Sequence, residues 1–306
     1  GGHAARHQQQ GGEVALMATY ETILAEEREG VLSLTLNRPA VKNAMSIGMA
    51  RELRAALAAA ESGGTVRAIV LRGAGGTFCA GGDISDMAKA RAEPKAEGRD
   101  PFAAVNREFG EMCVAYASTG IAVVAAVEGV ALGGGFGLAC VSDVTIVARG
   151  TRFGLPETSL GVVPAQILPF LIERIGYGQT KRLAVVGGFV EAEEALSLGL
   201  AHEVTDDIDR AVETCVGKIL RCAPGALAAT KALLAEARLA PTGAMIGRAA
   251  DVFSAALTSA EGAEGTAAFL GKRLPAWAPP SPRLRGEGAR RADEGPERTA
   301  HKAQES

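Results

Sequence analysis

Three short stretches hold the residues whose types and spacing could do chemistry. Gly133-Gly134-Gly135-Phe136-Gly137 follows the apolar run 121–127 and opens another at Leu138–Val141. Glycine lets a backbone approach another group closely, and the first amides of a helix lack partners and favour negative charge. A second glycine pair, Ala80-Gly81-Gly82-Asp83, also follows a run with strand character. Two backbone N–H groups converging on one oxygen make an oxyanion hole, suited to an enolate formed from a thioester carbonyl. Two tight turns without a ligand are the plain alternative. The third stretch is Phe153-Gly154-Leu155-Pro156-Glu157-Thr158. Burial of Glu157 among such apolar neighbours would raise its pKa and let it exchange protons near neutrality, whereas on the surface it would be a solvated loop residue.

Other chemistries are disfavoured. The 306 residues are 47% hydrophobic with a formal net charge of −3, so no basic field exists to hold a nucleic-acid backbone. Neither G-x-x-x-x-G-K-[ST] nor G-x-G-x-x-G occurs at the cluster, since Leu138 stands where the last glycine should be. Of the four histidines, His3, His7 and His301 lie in end segments, which leaves His202 alone for any triad or zinc site. Its setting, Gly199-Leu200-Ala201-His202-Glu203-Val204, reads as a helix end entering a strand, and a structural role is expected. No metal and no separate cofactor are expected. Cys79, Cys113, Cys140, Cys215 and Cys222 form no C-x-x-C pair and read as small buried residues in a reducing compartment, which points to the cytoplasm. Residues 120–141 are apolar except for Glu128. The glycines and the central acid favour a buried strand and helix there over a membrane span.

The elements that must position these stretches follow from periodicity. Strands are expected at Val31–Leu36, Ala68–Leu71, 121–127 and Val144–Ala148, and helices at Ile47–Ala60 and Phe102–Ser118. Lys89–Pro101 is charged, contains two prolines and reads as a mobile loop. Beyond Pro164 the pattern turns helical, at Ala192–Leu198, Ile208–Arg221, Gly225–Arg238 and Ala260–Lys272. Alternating strands and helices followed by helices imply an α/β core over 18–205 with a helical region over 206–277. Residues 1–17 and 278–306 read as disordered ends, with Met17 a candidate natural start.

Together these stretches resemble the enoyl-CoA hydratase/isomerase (crotonase) superfamily from about Tyr20 to Trp277. The resemblance is carried by Asn37-Arg38-Pro39 with Asn43-Ala44-Met45, Phe78-Cys79-Ala80-Gly81-Gly82-Asp83, Glu128 to Gly135, Phe153 to Gly161, Ala192 to Leu200, and Ala268-Phe269-Leu270-Gly271-Lys272-Arg273. It implies a crotonase-like core of ββα repeats with a C-terminal helical trimerisation region, and a homotrimer or a hexamer of two trimers. It implies an acyl-CoA thioester substrate, with oxyanion amides on Gly82 and Gly134 and Glu157 as acid/base. The CoA pocket maps onto Val41, Lys42, Ala80, Asp83 and Ile84, with Phe269 and Lys272 reaching CoA from the C-terminal helix of the same or a neighbouring subunit. Plain surface lysines remain the alternative for Lys42 and Lys272. Within the superfamily, Glu128–Asp143, Gly154–Phe170, Arg221–Pro224, Ala228–Leu234 and Glu261–Trp277 are most similar to isohexenylglutaconyl-CoA hydratases, which act on a branched, dicarboxylic enoyl-CoA in acyclic terpene breakdown.

The chain departs from the family at Gly137, where hydratases typically carry a second carboxylate. One carboxylate suffices for a Δ3-Δ2 enoyl-CoA isomerase, and loss of one also admits a non-catalytic CoA-binding oligomer. A glycine at 137 is expected to leave room for a bulky β-substituent, or for a substrate carboxylate that helps position water. Asp83 is expected to pin the turn that presents Gly82 as well as to border the substrate. Asp143 is expected to cap the turn before Val144.

Overall fold

The computed structural model describes residues 15–16, 19–92 and 100–279. Its main sheet has seven strands in the order β1-β2-β3-β4-β5-β7-β10. These are β1 (Ala15–Leu16), β2 (Ile23–Arg28), β3 (Val31–Leu36), β4 (Ala68–Gly73), β5 (Ala122–Val127), β7 (Val144–Ala148) and β10 (Glu203–Thr205). The first three are joined antiparallel and the rest run parallel. A second sheet sets β6 (Val130–Leu132) parallel to β8 (Arg152–Gly154), with β9 (Phe189–Glu191) antiparallel on its edge. All six residues of β5 are buried, and its Ala-Val-Val-Ala-Ala-Val composition suits a central strand covered on both faces.

One face is covered by α1 (Ile47–Gly63), α3 (Pro101–Ser118) and α4 (Gly134–Val141). Ser46 caps α1 by accepting from the Met49 amide, and Gly64 ends it in the left-handed conformation. Asp100 caps α3, and the Tyr116 hydroxyl donates to Leu53 O, which ties α3 to α1. The other face is covered by α7 (Ile208–Ile219), whose Ile208, Ala211, Val212 and Val216 pack on Ala68, Val70, Val124, Ala126 and Ile146. The first helix of the expected C-terminal region is therefore a layer of the core. The remaining helices are α2 (Ile84–Ala92), α5 (Leu168–Val186), α6 (Ala192–Ser197), α8 (Pro224–Ala237), α9 (Met245–Thr258) and α10 (Ala260–Leu270).

Some expectations are corrected here. Lys89–Ala92 belong to α2 and Pro101 opens α3, so the expected loop shrinks to the residues between them, of which 93–99 lie outside the described residues. Ala15–Leu16, inside the stretch expected to be disordered, pair with Glu26–Glu27. The rest of that stretch, with Met17, and residues 280–306 of the tail lie outside the described residues. Residues 120–141 divide into β5, β6 and α4, and no helix among the described residues is long and apolar enough to cross a membrane. Cys79, Cys113 and Cys140 are buried as expected, but Cys215 is half-buried and Cys222 exposed.

Candidate active site

Strand register brings the three glycine- and glutamate-bearing stretches to one place, beyond the C-terminal ends of β4 and β5. Cys79 bridges Ala131 in parallel, and the Leu132 amide donates to Cys79 O at 2.9 Å. Further along, a Cβ built on Gly133 would lie 3.7 Å from the Gly81 Cα, and Gly82 and Gly134 are the next residues of these two segments. Met45 bridges Gly82 through Met45 N to Gly81 O (2.7 Å) and Asp83 N to Met45 O (2.9 Å). That pattern turns the Gly82 amide away from Met45. Gly134 is the first residue of α4, so its amide has no carbonyl within the helix. Among the described residues neither amide donates a hydrogen bond within the chain. Two unpaired N–H groups on adjoining parallel segments are the donors an oxyanion hole requires.

Glu157 arrives by a separate register. Leu132 pairs with Gly154 across β6 and β8, and the Gly133 amide donates to Gly154 O at 3.1 Å. Leu155 and Pro156 then lead into a 3₁₀ turn, Glu157–Leu160, closed by left-handed Gly161. The Glu157 carboxylate reaches Gly133: a Cβ built there would lie 2.7 Å from Oε1 and 3.7 Å from the Gly81 Cα. Gly133 also has φ 43° and ψ −110°, outside the range of ordinary L residues. Its lack of a side chain serves both the turn and the carboxylate. Glu157 Oε2 is buried and has no hydrogen-bond partner among the described residues. Burial raises its pKa, and one backbone amide opposes this only in part. A raised, half-buried carboxyl next to two free amides can carry a proton to and from a bound thioester.

The space in front of Gly137 is not open. A Cβ there would lie 2.4 Å from Ile167 Cγ2 and 3.0 Å from Phe109 Cζ. The room expected for a β-substituent or a substrate carboxylate is taken by hydrocarbon, because Ile167 is buried and its side chain enters the gap. Phe109 also lies against Gly134, 3.3 Å from a Cβ built on it. Glu157 thus lies against Gly133, and the apolar wall of Phe109 and Ile167 against Gly134 and Gly137.

The expected CoA segments meet as well. Val41 and Lys42 end a 3₁₀ turn, Pro39–Val41, and Lys42 O accepts from the Ala80 amide at 3.0 Å. Lys42 and Asn43 are both left-handed, with φ 50° and 56°. Asn43, fully buried, holds this conformation by donating to Ala74 O and Thr77 O and accepting from the Arg38 amide. Arg38 in turn donates to Ala44 O and pairs with Asp83 at 2.7 Å. Burial pushes the Asp83 carboxyl up, but Ser85 and Arg38 outweigh it and hold the group below the usual range. Asp83 therefore fixes the turn that presents Gly82. Ile84 and Val41 are exposed beside it.

Phe269 and Lys272 do not join this group within one chain. Arg67, just before β4, donates to Trp277 O, and the Trp277 indole donates to Arg221 O. This anchors the segment after α10 at the end of the sheet opposite the Gly82 and Gly134 amides, and Phe269 is 83% exposed. His202 is structural: Nδ1 accepts from the Thr145 amide, Nε2 faces Arg174 at 3.0 Å, and burial, then Arg174, lower its pKa. Asp143 does not cap a turn. Its Oδ2 accepts from the Val123 amide and pairs with Lys231, joining β5 to α8. Cys79, beside Gly135, is buried and its thiol is pushed up to about 11, so it stays protonated and is no nucleophile. Phe109, Ile167, Arg38 and Asn43 escape sequence reasoning as site residues. Arg38, Asn43 and Ile167 lie inside stretches that carry the family resemblance, but Phe109 carries no local signal beyond its helical period.

The family model for enoyl-CoA hydratase/isomerase matches residues 26–280. The chain is 34% identical over 260 residues to a probable enoyl-CoA hydratase of Rhodobacter capsulatus, covering 84% of this chain and 98% of that protein. It is 30% identical to the 2,3-dehydroadipyl-CoA hydratase of Escherichia coli, covering 83% and 97%. Among solved structures, Pseudomonas aeruginosa AtuE superposes with a TM-score of 0.81 at 51% identity, covering 85% of this chain and all of that one. The chain belongs to the enoyl-CoA hydratase/isomerase family and is an enzyme of that family.

Proposed function

We propose that this chain hydrates a branched enoyl-CoA of the isohexenylglutaconyl type. The observation that carries hydration is the unpartnered Glu157 Oε2 beside the free amides of Gly82 and Gly134. The thioester oxygen accepts from both amides. Glu157 takes a proton from water as the water oxygen bonds to the β-carbon, and the C=C electrons move to the thioester oxygen. Glu157 then returns its proton to the α-carbon, the enolate collapses, and the carboxylate is regenerated. Val41, Lys42, Ala80 and Ile84 border CoA. Phe269 and Lys272 reach it only across a subunit boundary, in a trimer or hexamer. The exposed apolar side chains Leu234, Ile246, Phe253 and Leu257 on α8 and α9 support such an assembly. The branched, dicarboxylic acyl group is supported by the motif resemblance over Glu128–Phe170, and by the dicarboxylic substrate that the name of the E. coli relative prints.

A Δ3-Δ2 isomerase is the second reading, favoured by the hydrocarbon wall at Gly137, which offers no second proton-transfer group. Absorbance of the conjugated thioester separates the two. Its loss from a glutaconyl-type 2-enoyl-CoA is the expected result. Its appearance from a 3-enoyl-CoA, with the 2-enoyl-CoA left unchanged, would replace hydration by isomerisation. Equal rates on crotonyl-CoA would sink the dicarboxylic assignment.

A further inference from the structure

Two consecutive residues, Gln166 and Ile167, enter spaces left by two glycines on different helices. Ile167 fills the gap at Gly137 of α4, and Gln166 lies over Gly110 of α3, where a Cβ would be 2.2 Å from its Oε1 and 2.7 Å from its Cδ. A glycine inside a helix costs about 1 kcal/mol relative to alanine. At Gly110 the missing side chain admits the Gln166 amide. From there Gln166 Nε2 donates to Asn106 Oδ1 at 2.8 Å. Asn106 stands one helical turn before Phe109, the residue that abuts both Gly134 and Gly137. Phe102, Asn106 and Phe109 follow at i, i+4 and i+7 and so share one face of α3. The two amides are thus a polar point on an otherwise apolar strip that begins at the oxyanion amides.

We propose that Asn106 and Gln166 form a clamp for a carboxylate on the acyl chain, a few carbons beyond the reacting double bond. The inference rests on the acyl-CoA reading above and supplies what recognises the second acid group. Each carboxamide has two N–H donors, and their mutual bond uses one of the four. The Asn106 oxygen is engaged by Gln166, and the Gln166 oxygen is packed on Gly110. Three N–H donors remain, while one oxygen is already bonded and the other faces Gly110, so the pair favours an acceptor such as carboxylate over an ammonium group. No acid of α3 competes for them: Glu108 is held by Arg51 and Arg54, and Glu111 by Arg54. The wall of Ile167 and Phe109 keeps the carboxylate from settling against Gly137.

The test compares unreactive saturated thioesters of equal length, glutaryl-CoA and pentanoyl-CoA, by calorimetry on the full chain. Wild type is expected to bind glutaryl-CoA at least about tenfold more tightly, the scale of hydrogen bonds to a charged group. Asn106→Leu and Gln166→Leu should bring that ratio towards one. Asn106→Asp, which keeps the shape of the side chain, should push it below one. A wild-type ratio near one, or variants that keep the wild-type ratio, would overturn the clamp. Turnover is read separately, by the absorbance of glutaconyl-CoA and 2-pentenoyl-CoA. Selective binding through Asn106 with no change in either absorbance would sink the hydratase reading and leave the clamp standing.

Discussion

Gly133 and Gly137 sit four residues apart at the start of α4, one turn along the same face, and the molecule treats them oppositely. At Gly133 the missing side chain is replaced by the carboxylate of Glu157, delivered from the strand β8 side. At Gly137 it is replaced by the Ile167 methyl and the edge of Phe109. One gap receives a carboxylate, and the other receives hydrocarbon. A glycine in sequence is therefore not a vacancy in the fold. What its absent side chain permits depends on which distant segment arrives there.

Replacing the carboxylate itself breaks the comparison most severely. Glu157→Gln should lower kcat by about 10²–10⁴-fold, the range of a lost general acid/base, while acyl-CoA binding persists. Retained turnover would remove Glu157 from the chemistry. The same variant carries a stability signature. Because burial raises the Glu157 pKa, its favourable contribution is complete below the unfolded value and is lost as pH rises through the folded one. Wild type should thus lose Tm from acid to neutral pH relative to Glu157→Gln, which stays neutral throughout. For the same reason the acid limb of kcat/KM should fall above the usual glutamate value of about 4.3. A limb at or below that value would mean the carboxylate is solvated.

Gly133→Ala probes the polar gap. The left-handed φ costs about 1–3 kcal/mol, and the new methyl would displace Glu157 Oε1. A displacement of about 1 Å at such a site costs on the order of 10²-fold in rate. Gly137→Ala probes the apolar gap, with a smaller effect on rate. Overpacking against Ile167 should cost about 1–3 kcal/mol of stability, and Ile167→Ala alone about 2–5 kcal/mol. Combined, the two should be less damaging than their sum by at least about 1 kcal/mol, since each relieves the other. Strict additivity in denaturant unfolding would show that Ile167 does not fill the Gly137 gap.

Much of this was legible in the chain. The alternation of Val31–Leu36 and the apolar run at Ala122–Val127 announce strands, because one face or both must be buried. Gly82, Gly134 and Glu157 stand out by residue type and neighbours. Strand β2 is harder to read, since its Glu26-Glu27-Arg28 end is charged near the sheet's edge. Helix α5 is broken at Gly176, whose φ of 76° interrupts the helical period. Local composition carried no mark of Phe109, Gln166 or Ile167 as site residues, because each acts only through a glycine on another segment.

The sequence by itself determined the chemical inventory: two glycine-rich turns able to present free amides, one glutamate among apolar residues, and no second carboxylate at 137. Those facts depend on residue identity and on spacing within a few residues. Only the tertiary structure decided what stands next to them. The Cys79–Ala131 bridge brought the Gly81-Gly82 turn against Gly133 at the start of α4, the β6–β8 pairing carried Glu157 to Gly133, and the turn before α5 drove Ile167 into the gap at Gly137. Such contacts join residues 24 to 52 positions apart, and close packing admits only one occupant for each space.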